Sequence, residues 1–217
     1  MLTADYAPPR LATDRQSDGE DRRSQIIDAA NVLLGESGLE GLTVRALLKR
    51  TGLARRAFYD GFPGKDDLVL AVFERVLRAA ADHFNKHFAT CDDPLDCVRY
   101  FIYNITLGSS LTGDLVTADR RSAALSREHL RLAEARPAEL NAALRPLLDC
   151  LTEQVERGMR SGQMRQGDPA VQSRLIYNLL AATTHTELLD EERVLLPARR
   201  QELADMIWQF CCRAIAA

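Results

Sequence analysis

Apolar residues recur at three- and four-residue intervals along almost the whole chain, and the strict alternation that marks a strand is nearly absent. Ile26, Ala30, Leu33 and Leu34 share one face of a first helix, which is expected to start near Asp21. "GESGLEGLT" ends it, with Gly38 and Gly41 supplying permissive backbone. Thr43 stands as the N-cap of a second helix that turns Val44, Leu47 and Leu48 inward. Gly52 breaks this helix, and a short third one spans about Ala54 to Tyr59. "FPGKDDL" opens a long fourth helix, expected to reach Cys91, with Asp66 and Asp67 favourable in its positive first turn. Further on, Asp93-Pro94 and Asp168-Pro169 each read as a cap followed by a proline start. "LGSSLTGD" is a break, and Pro137 and Pro146 start or kink a helix ending at "RSGQMRQGDP". The helix from Pro169 reaches about Leu189, and Pro197 starts the last one. The expected fold class is all-α: a polar, mobile tail over 1–20, a unit of three small helices over 21–67, and a larger helical body over 68–217.

Composition narrows the setting. With 217 residues, 46% hydrophobic and 27% charged, the chain can bury a substantial core and has the balance of a soluble domain. No apolar run approaches the roughly 20 residues of a membrane span. The first twenty residues lack the basic start and apolar centre of a signal peptide. The five cysteines (Cys91, Cys97, Cys150, Cys211 and Cys212) form no CxxC pair, which suits reduced thiols, buried as small hydrophobes, in the cytoplasm. Charge is divided unevenly. Arg22 to Lys65 holds eight Lys/Arg against four Asp/Glu, a local +4 within a chain of net charge −3, so the remainder carries −7. A basic segment on an acidic body points to a polyanion as partner of that segment alone.

Two short helices joined at Gly52 have the form of a helix-turn-helix, whose second helix enters the major groove. Arg55 and Arg56 begin that second helix, and arginine is the side chain that pairs bidentately with guanine O6 and N7. Tyr59 offers a hydroxyl to phosphate, and Lys65 lies at a helix start whose amides attract anions. A helical hairpin with a solvated arginine pair would show the same glycine. The segment from about Arg22 to Leu68 nevertheless resembles the TetR family of transcriptional regulators. The resemblance rests on Ala29, Ala30, Glu36, Gly38, Thr43, Tyr59, Phe62 and Lys65 in the family's spacing. It implies a homodimer that binds a palindromic double-stranded DNA operator. It also implies phosphate contacts from Thr43, Tyr59 and Lys65, with bases read around Arg55 and Arg56. Arg45 and Ala54 complete the candidate DNA-binding set. Ala54 stands where a small hydroxyl residue is usual, Leu48 where alanine is common and Gly61 where a large polar residue is frequent, while Asp60 adds a negative charge.

In the body, the last two helices are apolar on more than one face. Tyr177, Leu180, Trp208, Phe210 and Cys211 are therefore the expected contacts of a four-helix interface across a twofold axis. The middle helices are expected to surround a pocket for a small, largely apolar or aromatic effector. Its candidate lining is Phe84, Phe88, Tyr100, Phe101, Tyr103, Asn104 and Thr117. His83, His87 and Cys91 lie four apart on one face of the fourth helix. Three such ligands span about 12 Å at 1.5 Å per residue, too far for one ion, so at most a neighbouring pair could serve, with help from Asp92, His129 or Cys97. No Walker sequence, GxGxxG or GxSxG occurs, and no histidine follows an acidic residue by three. The expected protein is thus a ligand-responsive repressor rather than an enzyme, with no cofactor. The rival readings are a helical small-molecule-binding protein, or a thiol- or metal-dependent helical enzyme, without DNA binding.

Overall fold

The structure, a computed structural model, describes residues 12–107, 115–189 and 197–217. Nine helices run through these residues: α1 (Ala12–Gly41), α2 (Val44–Thr51), α3 (Arg55–Gly61), α4 (Lys65–Phe88), α5 (Pro94–Leu107), α6 (Leu115–Ala135), α7 (Pro137–Arg160), α8 (Pro169–Leu189) and α9 (Pro197–Ile215). Residues 1–11 of the expected tail lie outside the described residues, and 12–20 belong to α1, which starts nine residues before Asp21. The polar composition of that first stretch concealed the extension, because a helical segment without an apolar stripe gives no periodic signal. α4 ends at Phe88, one turn short of the expected Cys91.

Capping chemistry sets several of the boundaries. Gly38, at φ 61°, interrupts the helical backbone of α1 near its end. Thr43 Oγ1 accepts from the Ala46 amide at 3.1 Å and so starts α2. Gly52 ends α2 in the left-handed region at φ 70°, its amide donating to the Leu48 carbonyl at 3.0 Å. Asp93 Oδ1 accepts from Leu95 N at 2.9 Å ahead of α5, and Asp168 Oδ1 from Ala170 N at 2.9 Å ahead of α8. Helix α7 continues through Pro146.

Packing forms two connected units. In the first, α1 carries α2 and α3, burying Ile26, Ala30, Leu34, Leu47, Phe58 and Phe62. In the second, α7 is central and lies against α4, α5, α6 and α8, while α9 packs on α5. Leu140, Leu144, Leu147, Leu151 and Val155 supply its buried stripes. The units join where α1 meets α4 and α6. Near the C-terminus, Arg165 N donates to Ile215 O at 2.8 Å and Ala217 N to Gln163 O at 3.0 Å, tying the α7–α8 turn to the end of α9.

Candidate DNA interface and ligand cavity

The small unit presents its cations outward. Thr43, Arg45, Ala54, Arg55, Arg56, Tyr59 and Lys65 are all exposed, while Phe58 and Phe62 hold the opposite side of α3 in the core. Arg55, Arg56 and Tyr59 share one face of α3 by their spacing. The Arg55 guanidinium lies over the Tyr59 ring at 5.6 Å and donates to its hydroxyl at 3.4 Å. Arg56 faces Asp60 at 3.7 Å. Lys65 Nζ donates to the Leu39 carbonyl at 2.9 Å, just past the Gly38 break. Arg50 makes a bidentate pair with Glu36 at 2.6 and 2.9 Å, which holds α2 on α1 and pulls the Glu36 carboxyl below its ordinary range.

The first turn of α4 is also held from the body. Arg131, on α6, donates to both oxygens of Asp66 at 3.0 and 3.1 Å and to Glu128 at 2.8 Å. Arg136, between α6 and α7, donates to Asp67 at 2.9 Å and Glu139 at 3.0 Å. The acidic pair placed by sequence for its helix dipole thus has a second role, anchoring the start of α4 to the α6–α7 joint.

A cavity of about 400 Å³ lies between α4, α6, α7 and α8, with Ile105 of α5 at its edge. Its apolar wall includes Phe73, Val76 and Leu77 from α4, Leu125 and Leu130 from α6, and Leu147 from α7. Ser122, Ser126 and His129 of α6 and Tyr177, Asn178, Thr184 and His185 of α8 add polar groups. These side chains follow helical spacing on each element, so one face of each helix lines the space. Leu130, Asn178 and Ala182 are exposed and mark the mouth. The His129 ring sits edge-on to Phe73, and its Nδ1 is 3.5 Å from the Tyr177 hydroxyl. Burial holds the His129 pKa below its ordinary value, and the nearby His185 adds to the effect. Burial likewise pushes the Tyr177 phenol upward. Thr184 Oγ1 and His185 Nδ1 are buried without a hydrogen-bond partner among the described residues.

The pocket residues expected from sequence are elsewhere. Phe84, Phe88 and Phe101 are buried in an aromatic cluster, with Phe84 4.6 Å from Phe101 and 5.9 Å from Phe88. Tyr100 stacks on His87 at 3.4 Å and is 2.9 Å from His83 Nε2 through its hydroxyl. Tyr103 donates to Asp205, and Asn104 Nδ2 donates to the Tyr100 carbonyl at 2.9 Å. None of these six lines the cavity. The Thr117 side chain lies outside the described residues. The physical reason is that rings at i and i+4 on α4 found partners on α5 and filled the space between them. His83 and His87 are occupied by the same tyrosine, and no group of three or more His, Cys, Asp or Glu among the described residues is placed to hold a metal ion. The Cys97 and Cys150 thiols are each pushed up to about 12, chiefly by burial.

The expected interface set divides as well. Tyr177, Leu180 and Cys211 are buried within their own chain, Tyr177 against the cavity, and Trp208 is half-buried against the core. Phe210 stands out at 66% exposed. Its exposed neighbour in spacing is Met206, and α8 offers Leu175, 64% exposed, and Val171. Met206 belongs to the apolar surface expected of the last helix, whereas Val171 and Leu175 were not singled out from sequence, although they recur at i and i+4 on a helix already suspected.

Residues 26–72 match the family described as bacterial regulatory proteins, tetR family. The chain is 24% identical over 189 residues to the fatty acid metabolism regulator protein of Bacillus subtilis, covering 84% of this chain and 92% of that one. It is 33% identical over 72 residues to the HTH-type transcriptional regulator EthR of Mycobacterium tuberculosis, one third of each chain. The fold is similar to the crystal structure of the transcriptional regulator FadR from Bacillus subtilis in complex with stearoyl-CoA. The TM-score is 0.70 at 19% identity, covering 87% of this chain and 97% of that one. Among the described residues, no helix is long and apolar enough to cross a membrane.

Proposed function

The chain belongs to the TetR family of transcriptional regulators, and on that premise we propose that it is a repressor that binds a palindromic operator as a homodimer and leaves it when a small, largely apolar molecule fills the cavity. One observation carries this reading. The cavity wall and the DNA-facing end are parts of the same helix: α4 begins at Lys65, among the exposed cations, and lines the cavity with Phe73, Val76 and Leu77. A shift of α4 that accommodates a ligand therefore moves its first turn, which is also held by Arg131 and Arg136.

In this reading α3 enters the major groove. Arg55 and Arg56 meet base edges, while Thr43, Arg45, Tyr59 and Lys65 meet phosphates and the small Ala54 lets the backbone approach. Lys65 exchanges the Leu39 carbonyl for phosphate. The second copy docks on the α8–α9 face that carries Leu175, Met206 and Phe210. A ligand releases DNA only by binding the released arrangement more tightly than the bound one. Fluorescence anisotropy with DNA flanking the protein's own gene tests the first half: specific binding that survives competitor DNA supports the reading. Absence of any salt-dependent DNA binding would remove it.

A further inference from the structure

Thr184 and His185 sit next to each other on the cavity face of α8, and each buries a polar atom that no described residue satisfies. Buried polar groups without a partner lose their hydration unrepaid, so a ligand that supplies the missing hydrogen bonds gains on both counts. We propose, building on the ligand-responsive reading above, that the effector is a neutral apolar molecule anchored through a hydroxyl group, a phenol or an alcohol, at Thr184 Oγ1 and His185 Nδ1.

The choice of a hydroxyl follows from what those atoms can do. Thr184 donates or accepts, and a ring nitrogen of His185 does either according to its tautomer. A hydroxyl can accept from one and donate to the other, so it suits the pair in either arrangement. A carboxylate or phosphate fits poorly. The described residues lining the cavity include no Lys or Arg. Its other imidazole, His129, is kept neutral by burial. An anion would therefore leave water without a cation to receive it. An ammonium group meets the same obstacle, since the lining includes no Asp or Glu among the described residues. The size is also selective. A cavity of roughly 150 Å³ holds benzene, so one of about 400 Å³ accepts a ring with a short alkyl chain. The stearoyl-CoA of the similar FadR structure carries a charged nucleotide that this lining does not match.

The test is calorimetric titration of the full-length protein with 4-butylphenol, butylbenzene, 4-butylbenzoate and stearoyl-CoA. The phenol should bind about tenfold more tightly than butylbenzene, the worth of a satisfied buried hydrogen bond, and the two anions should bind more weakly than either. Thr184→Val and His185→Phe, examined singly, should each lower the phenol-to-butylbenzene ratio, and Thr184→Ser should keep it. Retained butylbenzene binding shows that a variant's cavity is intact. Equal affinities for phenol and butylbenzene, tighter binding of either anion, or an undiminished ratio in both Thr184→Val and His185→Phe would overturn the hydroxyl assignment while leaving a ligand-responsive regulator. If none of the four probes binds, the hydroxyl assignment falls, and the regulator reading is decided separately by the anisotropy measurement with DNA.

Discussion

Arg55 and Arg56 differ in what holds them before DNA arrives. Arg55 is braced across the Tyr59 ring, which limits the rotamers it must give up on binding, whereas Arg56 has 90% of its side chain exposed and faces Asp60. Alanine at either arginine is expected to cost about 1–3 kcal/mol at one operator position and to relax specificity there. Lys65→Ala and Tyr59→Phe should instead weaken binding to every sequence, the lysine change lowering the salt slope by about one. Competition assays on single-base operator variants distinguish the two patterns, and a uniform loss from the arginine changes would reassign them to phosphate. Asp60→Asn should strengthen binding to any DNA, because it removes a repelling charge and frees Arg56. The exposure of these side chains was legible in the sequence, because charged residues on a short, glycine-bounded helix have few buried partners. His129 entered the sequence reading only as a possible helper ligand for a metal, since one histidine within an ordinary helical stretch carries no sign of its burial. Its lowered pKa has a consequence for stability. The unfolded chain takes up a proton near pH 6.5 and the folded one only at lower pH, so the His129 contribution to stability is full above that value. It declines as pH falls from about 6.5 toward the depressed folded pKa. Thermal melts of wild type and His129→Asn should run parallel above pH 6.5 and differ in slope below it, the variant losing less stability as the pH falls.

At the scale of elements, the link between cavity and DNA end runs through two helices that share an anchor. α6 lines the cavity with Ser126 and His129, and two residues further its Arg131 grips Asp66 in the first turn of α4. A ligand that displaces α6 must carry Arg131 with it or break the pair. Arg131→Gln or Asp66→Asn should therefore reduce the factor by which a cavity ligand such as 4-butylphenol lowers DNA affinity. Linkage requires the same reduction in the factor by which DNA lowers ligand affinity. Two titrations, ligand into free protein and ligand into the DNA complex, measure it. An unchanged factor in both variants would leave α4 alone as the lever. The sequence made the helices legible because their caps are chemically explicit: Thr43, Gly52, Asp93 and Asp168 each stand where the structure uses them. What it could not convey was which faces meet. Phe84 and Phe88 have the spacing of a pocket wall and of a packed core alike, and only the arrival of Phe101 from α5 decides for the core. The cavity is lined instead by residues such as Ser126, Asn178 and Ala181, whose small or polar side chains leave space rather than fill it.

At the scale of the whole molecule, one copy is insufficient for the proposed task. A palindromic site presents two half-sites about 34–36 Å apart, and a single α3 reads only one of them. The second copy must therefore be held at a fixed distance, which calls for a rigid interface remote from the DNA. The exposed apolar residues of the body meet that need: Val171 and Leu175 on α8, Met206 and Phe210 on α9, two helices that pack on each other. Pairing with the same face of a second copy gives the four-helix arrangement of a twofold dimer. Four large apolar side chains left in water on two packed helices are of the kind that marks an interaction surface. Phe210 is the best single probe, because it is the most exposed of them and its removal leaves the chain's own core intact. Phe210→Glu should give a monomer, since two like charges would face each other across the axis and each would lose water without a partner. Sedimentation at micromolar concentration reads the change directly. Circular dichroism should show the helix content of the wild type, which separates loss of the dimer from loss of the fold. The same variant should bind a full palindrome no more tightly than an isolated half-site, because the energetic advantage of two linked contacts depends on their being held together. A Phe210→Glu protein that still sediments as a dimer would move the interface elsewhere on the body. One that is monomeric yet keeps its preference for the palindrome would show that the two copies meet only on DNA.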